Sequence, residues 1–255
     1  MKKHNFSCLF FLCIFLSVLF LVACQSINKS NAEAGIPPYH IIFSFDDGPN
    51  AHGDTTDRLL DILKKYEIKA MFTLLGENAE AYPDLVRRIY NEGHYIVNHG
   101  YSDKWVRGMG EEEFRNNLIL TEQLISSIIG YEYYPKLYLP HSGFYSSSHK
   151  MILRETGYTM IPISVRAYDA VKTGASRDKI IRRIINRVEK QKGGIVLLHD
   201  GRDSHFRMKR KLEQNPHGAF NRTWIPEAVE EIILILLEKG YNLHVTSDLI
   251  TRFIL

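Results

Sequence analysis

Short apolar runs alternate with amphipathic segments along the chain from position 41 onwards. The runs are continuous, as in strands that are buried on both faces. The segments between them repeat leucine and isoleucine at helical spacing. Strands are predicted at 41–45, 70–75, 95–97, 136–139, 158–165, 194–198 and 241–245, and helices at 57–66, 82–91, 111–129, 147–156, 178–191 and 226–239. This alternation favours a parallel sheet or barrel covered by helices.

Polar residues with catalytic chemistry follow the predicted strands. They are Asp46, Asp47, His99, His141, Asp169 and His199. The carboxyl ends of barrel strands converge on one face, so we expect these side chains to form one site. Asp46 and Asp47 repel each other unless a cation or a shared proton compensates. The pair indicates a metal ligand beside a general base, or alternatively an Asp that caps the next helix.

His99 and Asp103 lie four residues apart after the third predicted strand. This spacing brings two ligands to one side of a helical turn or tight loop. With Asp47 they would supply one nitrogen and two carboxylates, a set suited to zinc or another borderline divalent ion. Taken alone, such a pair is also typical of incidental surface residues.

The first 24 residues have the pattern of a secretory signal peptide. Two lysines precede an apolar run that ends in Leu21-Val22-Ala23-Cys24, which resembles a bacterial lipobox. We expect a signal peptide at 1–23, a flexible tether at 24–37 that is lipidated on Cys24, and one globular domain at 38–255. An uncleaved N-terminal membrane anchor is the alternative.

Removal of the signal peptide changes both the cysteine count and the charge. Cys8 and Cys13 would be lost, which leaves no pair for a disulfide. The formal net charge would fall from +3 to +1 without Lys2 and Lys3. The remaining chain then lacks the overall excess of positive charge that is typical of nucleic-acid-binding domains. We therefore expect no nucleic-acid partner, membrane attachment through the lipid on Cys24, and an extracytoplasmic location in the bacterial cell envelope.

Three stretches of the chain match a known set of motifs in order. They are Phe43-Ser44-Phe45-Asp46-Asp47-Gly48-Pro49, Glu92-Gly93-His94-Tyr95-Ile96-Val97-Asn98-His99 and Ile195-Val196-Leu197-Leu198-His199. The sequence thereby resembles the polysaccharide deacetylases, the NodB-homology or carbohydrate esterase 4 family, over nearly all of 38–255. The resemblance implies a distorted (β/α) barrel of the NodB-homology type. It also implies a metal-dependent hydrolase that removes N-acetyl groups from amino sugars of a polysaccharide such as peptidoglycan.

The resemblance also assigns roles to single residues. It implies Asp46 as the general base and His199 as the general acid, with Asp169 orienting His199. The metal ligands that it implies are Asp47, His99 and Asp103. Asp103 stands where the family has a second histidine, which makes the expected site more anionic. Zinc is the expected ion, with cobalt, nickel or manganese as alternatives.

The substrate side of the implied site departs further from the family. Leu197 would line the pocket for the acetyl methyl group, and the backbone amide of Ser142 would serve an oxyanion hole. The third motif reads Leu139-Pro140-His141-Ser142-Gly143, so the arginine that steadies the base in the family is missing. His141 is expected to contact the substrate, with a contact to the metal as the alternative. Arg166 is a candidate to replace the missing arginine from a neighbouring strand.

Two other functions remain open on the sequence alone. An O-acetyl polysaccharide esterase would apply the same chemistry to an ester. A catalytically silent glycan-binding lipoprotein would keep the groove without turnover, because the family's arginine and second histidine are replaced. In each case the expected partner is a polysaccharide, and the domain is expected to be a monomer.

Overall fold

The computed structural model of the chain describes residues 39–102, 104, 106–133, 135–141, 145–245, 250 and 254. The predicted signal peptide and tether, including Cys24, lie outside the described residues. Asp103 and Ser142 lie outside them as well. The roles assigned to these positions therefore stay predictions.

Seven parallel strands form one sheet in the described part of the chain. They are β1 (Ile41–Gly48), β2 (Met71–Leu74), β3 (Tyr95–Asn98), β4 (Leu137–Tyr138), β5 (Thr159–Met160), β6 (Val165–Arg166) and β7 (Gly194–His199). Their order is β5-β4-β3-β2-β1-β7-β6, and each neighbouring pair is parallel. β1 therefore lies inside the sheet, between β2 and β7.

Helices connect the strands and cover the sheet. Those of the described residues are α1 (Thr55–Lys65), α2 (Gly76–Ala81), α3 (Pro83–Asn91), α4 (Glu111–Ile129), α5 (Ser147–Glu155), α6 (Arg177–Gln191), α7 (His205–Gln214) and α8 (Ile225–Glu238). Pro83 and Pro226 stand in the first turns of α3 and α8, where a missing N–H costs no hydrogen bond. None of these helices has the length and apolar character needed to cross a membrane.

Two apolar clusters cover the opposite faces of the sheet. Successive side chains of a strand point to opposite faces, so Phe43 and Phe45 pack with the helices while Ile42 packs with Met71 and Leu197 on the other face. All of β1 is buried. Coverage of both faces explains why its sequence is an unbroken apolar run. The strands curl into a half-barrel flanked by helices, which confirms the predicted α/β class.

Three predicted segments differ from the structure. Residues 158–165, predicted as one strand, form β5 and β6 with a break at Pro162, which has no N–H for a sheet ladder. At 241–245, the predicted closing strand reduces to a single bridge between His40 and Asn242. The basic segment 207–211, predicted to contain neither a strand nor a helix, lies within α7.

Candidate active site

The carboxyl end of β1 delivers the two adjacent acids. Asp46 still pairs in register with Thr73 of β2 and His199 of β7. The register shifts directly after it, and Asp47 has a φ of 65°, so a bulge takes Asp47 out of the regular ladder. Nδ2 of Asn78 donates to the backbone oxygen of Asp47 at 2.9 Å. The two neighbouring carboxylates are thereby given different surroundings.

Asp47, His99 and His141 form a group that could hold a metal ion. One ligand atom of each lies within 4.8 Å of the other two. Nε2 of His99 is 3.2 Å, and Nδ1 of His141 is 3.6 Å, from Oδ1 of Asp47. Nδ1 of His99 lies 2.6 Å from the backbone oxygen of Leu139, which orients the ring and leaves Nε2 for a ligand. Two imidazoles and one carboxylate suit a borderline divalent ion.

The carboxylate of Asp47 shows that this group fits a cation. Its Oδ1 is buried and makes no hydrogen bond of good geometry among the described residues. Burial acts to raise the pKa of Asp47, yet the rings of His141 and His99 hold it well below its usual value. The carboxylate is therefore ionised at neutral pH, as a metal ligand must be.

His141 belongs to this group, and the sequence left both a substrate contact and a metal contact open for it. The loop after β4 carries His141 against His99, with ring centroids 5.2 Å apart. The third ligand was expected at Asp103, which lies outside the described residues, so that role stays a prediction. His141 also lines the cleft in front of the group, where a substrate contact is still expected.

Asp46 is buried beside the metal-binding group. Burial raises the pKa of Asp46, against the attraction of the His99 and His199 rings. A carboxylate with a raised pKa is a better proton acceptor near neutral pH. The replacement suggested for the missing arginine is not seen: among the described residues, no hydrogen bond or ion pair joins Arg166 to Asp46, although both line one cleft.

His199 ends β7 and is held by Asp169. Its backbone N–H donates to Oδ2 of Asp169 at 3.0 Å, and its Nδ1 lies 3.0 Å from Oδ1. Burial acts to lower the pKa of His199, but the Asp169 carboxylate raises it to about 9. The ring is therefore protonated at neutral pH, with Nε2 left to transfer a proton.

Arg222 completes this arrangement and was missed from the sequence. Its fully buried guanidinium pairs with the Asp169 carboxylate and donates to the backbone oxygens of Asp169, Lys172 and His199. Burial acts to raise the pKa of Asp169, but His199 and Arg222 keep it below its usual value. Arg222 lies in the segment before α8, 23 residues after His199, and no motif of the sequence singles it out.

These side chains open into one cleft of about 510 Å³. Its lining includes the predicted residues Asp46, Asp47, His99, His141, Leu197 and His199. Asp169 is fully buried behind His199. The structure therefore brings together every predicted site residue that it describes.

Comparisons with known proteins show the family and the fold of this chain. A family model described as polysaccharide deacetylase matches residues 35–161. A crystal structure of the Bc1960 peptidoglycan N-acetylglucosamine deacetylase, bound to a hydroxamate, has a TM-score of 0.68 and 31% identity; the match covers 82% of this chain and 86% of that chain. This chain belongs to the polysaccharide deacetylase family. The predicted distorted (β/α) barrel of the NodB-homology type is thereby confirmed.

Two bacterial deacetylases are similar in sequence. Peptidoglycan-N-acetylglucosamine deacetylase of Bacillus cereus is 35% identical over 172 residues, which are 66% of this chain and 60% of the relative. Chitooligosaccharide deacetylase of Rhizobium leguminosarum bv. trifolii is 30% identical over 172 residues, which are 66% of this chain and 75% of the relative. This chain thus spans less than two thirds of the Bacillus cereus relative.

Proposed function

We propose that the chain is a metal-dependent hydrolase that removes N-acetyl groups from amino sugars of a polysaccharide such as peptidoglycan. The observation that carries the proposal is the position of Asp46 between two units of one cleft. On one side is the group of Asp47, His99 and His141, and on the other is the pair of His199 and Asp169. A base, a metal-binding group and an acid are the parts that acyl hydrolysis requires.

Each residue has a defined task in this reaction. The Asp46 carboxylate accepts a proton from the attacking water. Nε2 of His199 donates its proton to the departing nitrogen, while Asp169 holds the ring from Nδ1. Leu197 packs against the acetyl methyl group. Bound at Asp47, His99 and His141, a divalent ion supplies a Lewis acid for the acetyl carbonyl and for water.

Zinc is the ion proposed for this site, with cobalt, nickel and manganese as alternatives. Two imidazoles and a carboxylate favour zinc, whereas an added Asp103 carboxylate would favour a harder ion. Calorimetric titration of the metal-free protein with each ion ranks them. His141→Ala should weaken zinc binding at least about tenfold. A similar loss of zinc affinity in Asp103→Ala would identify Asp103 as a ligand, and unchanged affinity would exclude it.

Acetate release tests the proposed reaction. The metal-loaded protein is assayed on N-acetylglucosamine oligomers and peptidoglycan, and on O-acetylated xylan for the esterase alternative. Asp46→Asn should abolish release while metal stays bound, and Asp84→Asn, a surface change at a 96% exposed side chain, is the matched control. Glycan binding without acetate release from any substrate would favour the silent alternative. Release from xylan alone would favour the esterase.

We also propose that the domain is tethered outside the cytoplasm by a lipid on Cys24. The lipobox-like Leu21-Val22-Ala23-Cys24 supports this proposal, and a polysaccharide substrate of the cell envelope fits it. Cys24→Ala protein should lose incorporation of labelled fatty acid and move from the membrane to the soluble fraction. Labelling that persists in this variant contradicts the proposal.

A further inference from the structure

Three arginines line the candidate catalytic cleft: Arg166, Arg202 and Arg207. Arg207 pairs with Asp203, with 2.7 Å between Nη1 and Oδ2. In the described part of the chain, the guanidinium groups of Arg166 and Arg202 have no carboxylate partner. Arg202 lies over the ring of Phe220, 4.3 Å from its centroid, and this contact leaves its charge unneutralised.

The two arginines without carboxylate partners flank the strand that carries His199. Arg166 ends β6 and pairs in register with Leu197 of β7. Neighbouring strands lie about 4.8 Å apart. The backbone of Arg166 is therefore about this far from the backbone of Leu197, the residue proposed to contact the acetyl methyl group. Arg202 follows His199 by three residues. Both cations are therefore close to the place where the acetamido group would react.

The carboxylates that line the cleft are already engaged. Asp46 and Asp47 belong to the base and the metal-binding group, and Asp203 pairs with Arg207. Asp169 is buried with Arg222 and His199. The cleft therefore holds two guanidinium groups that the acids lining it do not neutralise.

The same side of the cleft continues into a basic surface. Tyr168 is 54% exposed and lines the cleft. The Cζ atoms of Arg183 and Arg187 lie 5.8 Å and 5.0 Å from the centroid of its ring. These arginines donate to the backbone oxygens of Ala167 and Arg166, which fixes them beside β6. An exposed aromatic ring between cations suits an anionic sugar, because the ring offers an apolar face and the guanidinium groups offer charge.

We propose that Arg166 and Arg202 bind a sugar carboxylate beside the scissile acetamido group, so that the preferred substrate is an N-acetylated glycan with free carboxylates. The planar guanidinium group donates two parallel N–H bonds, which match a carboxylate in geometry as well as charge. This inference rests on the proposed deacetylase function and specifies its substrate class. It gives Arg166 a role in substrate selection and not in holding Asp46.

A matched pair of glycans tests the proposal. The first is peptidoglycan glycan strands without stem peptides, whose muramic acid lactyl groups are free carboxylates. The second is the same strands after methyl esterification, which removes the charge and keeps the sugar chain. The full chain, loaded with zinc, is assayed for acetate release from both. We expect kcat/KM to be about 10- to 100-fold higher on the free-acid strands, because a hydrogen bond to a charged group changes affinity by about this factor.

Arginine variants show whether these two residues make the selection. Arg166→Gln and Arg202→Gln should each lower the ratio of the two kcat/KM values at least about fivefold, and the double variant should bring it close to one. Arg182→Gln is the control, because Arg182 is exposed on the same helix as Arg183, has no partner among the described residues and does not line the cleft. This variant should keep the wild-type ratio.

The outcomes separate this inference from the proposed function. Acetate release with a ratio near one in the wild type keeps the deacetylase function and overturns the inference. Equal losses on both strands in Arg166→Gln and Arg202→Gln also overturn it, since that pattern belongs to support of the catalytic groups. If neither strand releases acetate, the proposed function fails, and fluorescence binding of labelled strands decides the inference. Tighter binding of the free-acid strand, lost in the double variant, supports it, and equal binding overturns it.

Discussion

The charge on His199 is predicted to depend on one carboxylate. In Asp169→Asn protein the ring loses its ion pair at 3.0 Å, while the burial that acts to lower its pKa remains. We expect the pKa of His199 to fall from about 9 to its ordinary value of 6.5 or below. The difference corresponds to about 3 kcal/mol, and the protonated fraction at pH 7 falls from about 99% to about a quarter or less.

NMR titration of the His199 ring in the metal-free protein measures this change directly. Asp178→Asn is the matched control, because Asp178 also pairs with an arginine but its side chain is 73% exposed. The control should leave the titration of His199 where it is in the wild type. The reasoning is refuted if His199 titrates below pH 7 in the wild type, or at the same pH with and without the Asp169 carboxylate.

The same ion pair makes the stability of the fold depend on pH. The pKa of His199 is higher in the folded chain, about 9, than the 6.5 of a free histidine. Its contribution is therefore complete below pH 6.5 and is lost as the pH rises through 9. Urea denaturation should show the advantage of the wild type over Asp169→Asn shrinking by up to about 3 kcal/mol across this window. Loss of the partner of Arg222 adds a penalty that this pH range does not change. A constant advantage from pH 6 to pH 10 contradicts the assignment.

Three further predictions concern stability. Arg222→Met should destabilise the fold by about 3 kcal/mol, because the buried Asp169 carboxylate loses its fully buried partner and keeps only the His199 ring; denaturation that matches wild type would contradict this. Gly201→Ala should cost about 1–3 kcal/mol, because a Cβ there overlaps the backbone oxygen of Asp47, whereas Gly108→Ala meets nothing within 4 Å and serves as control. Phe43→Ala should cost about 3–5 kcal/mol from the core, measured by the same denaturation; a loss below 1 kcal/mol would argue against the packing described for β1.

The sequence was sufficient for the positions that β1, β3 and β7 deliver. Each strand is an apolar run followed directly by polar residues, so the pattern alone places Asp46, His99 and His199 at the carboxyl ends of parallel strands. Parallel pairing of β1 with β7 then puts Asp46 and His199 side by side. For these residues, position along the chain determines position in the site.

Other features depend on contacts that are distant in sequence. Arg222 reaches Asp169 across 53 residues, and an arginine before a helix gives no sign that it will be fully buried. His141 is a ligand candidate because the loop after β4 carries it to His99, a path that apolar spacing does not predict. α7 was missed because its sequence is dominated by basic residues, with only Met208 and Leu212 buried.

The buried pair of Arg222 and Asp169 links the proposed acid, His199, to the proposed base, Asp46. Arg222 keeps Asp169 ionised, Asp169 keeps His199 protonated, and the positive charge of His199 in turn attracts the Asp46 carboxylate. Asp46 therefore has cationic support although the family's third-motif arginine is missing and Arg166 does not touch it. In the proposed reaction Asp46 would accept a proton and His199 would donate one, and a cation near the proposed base does not have to come from the third motif.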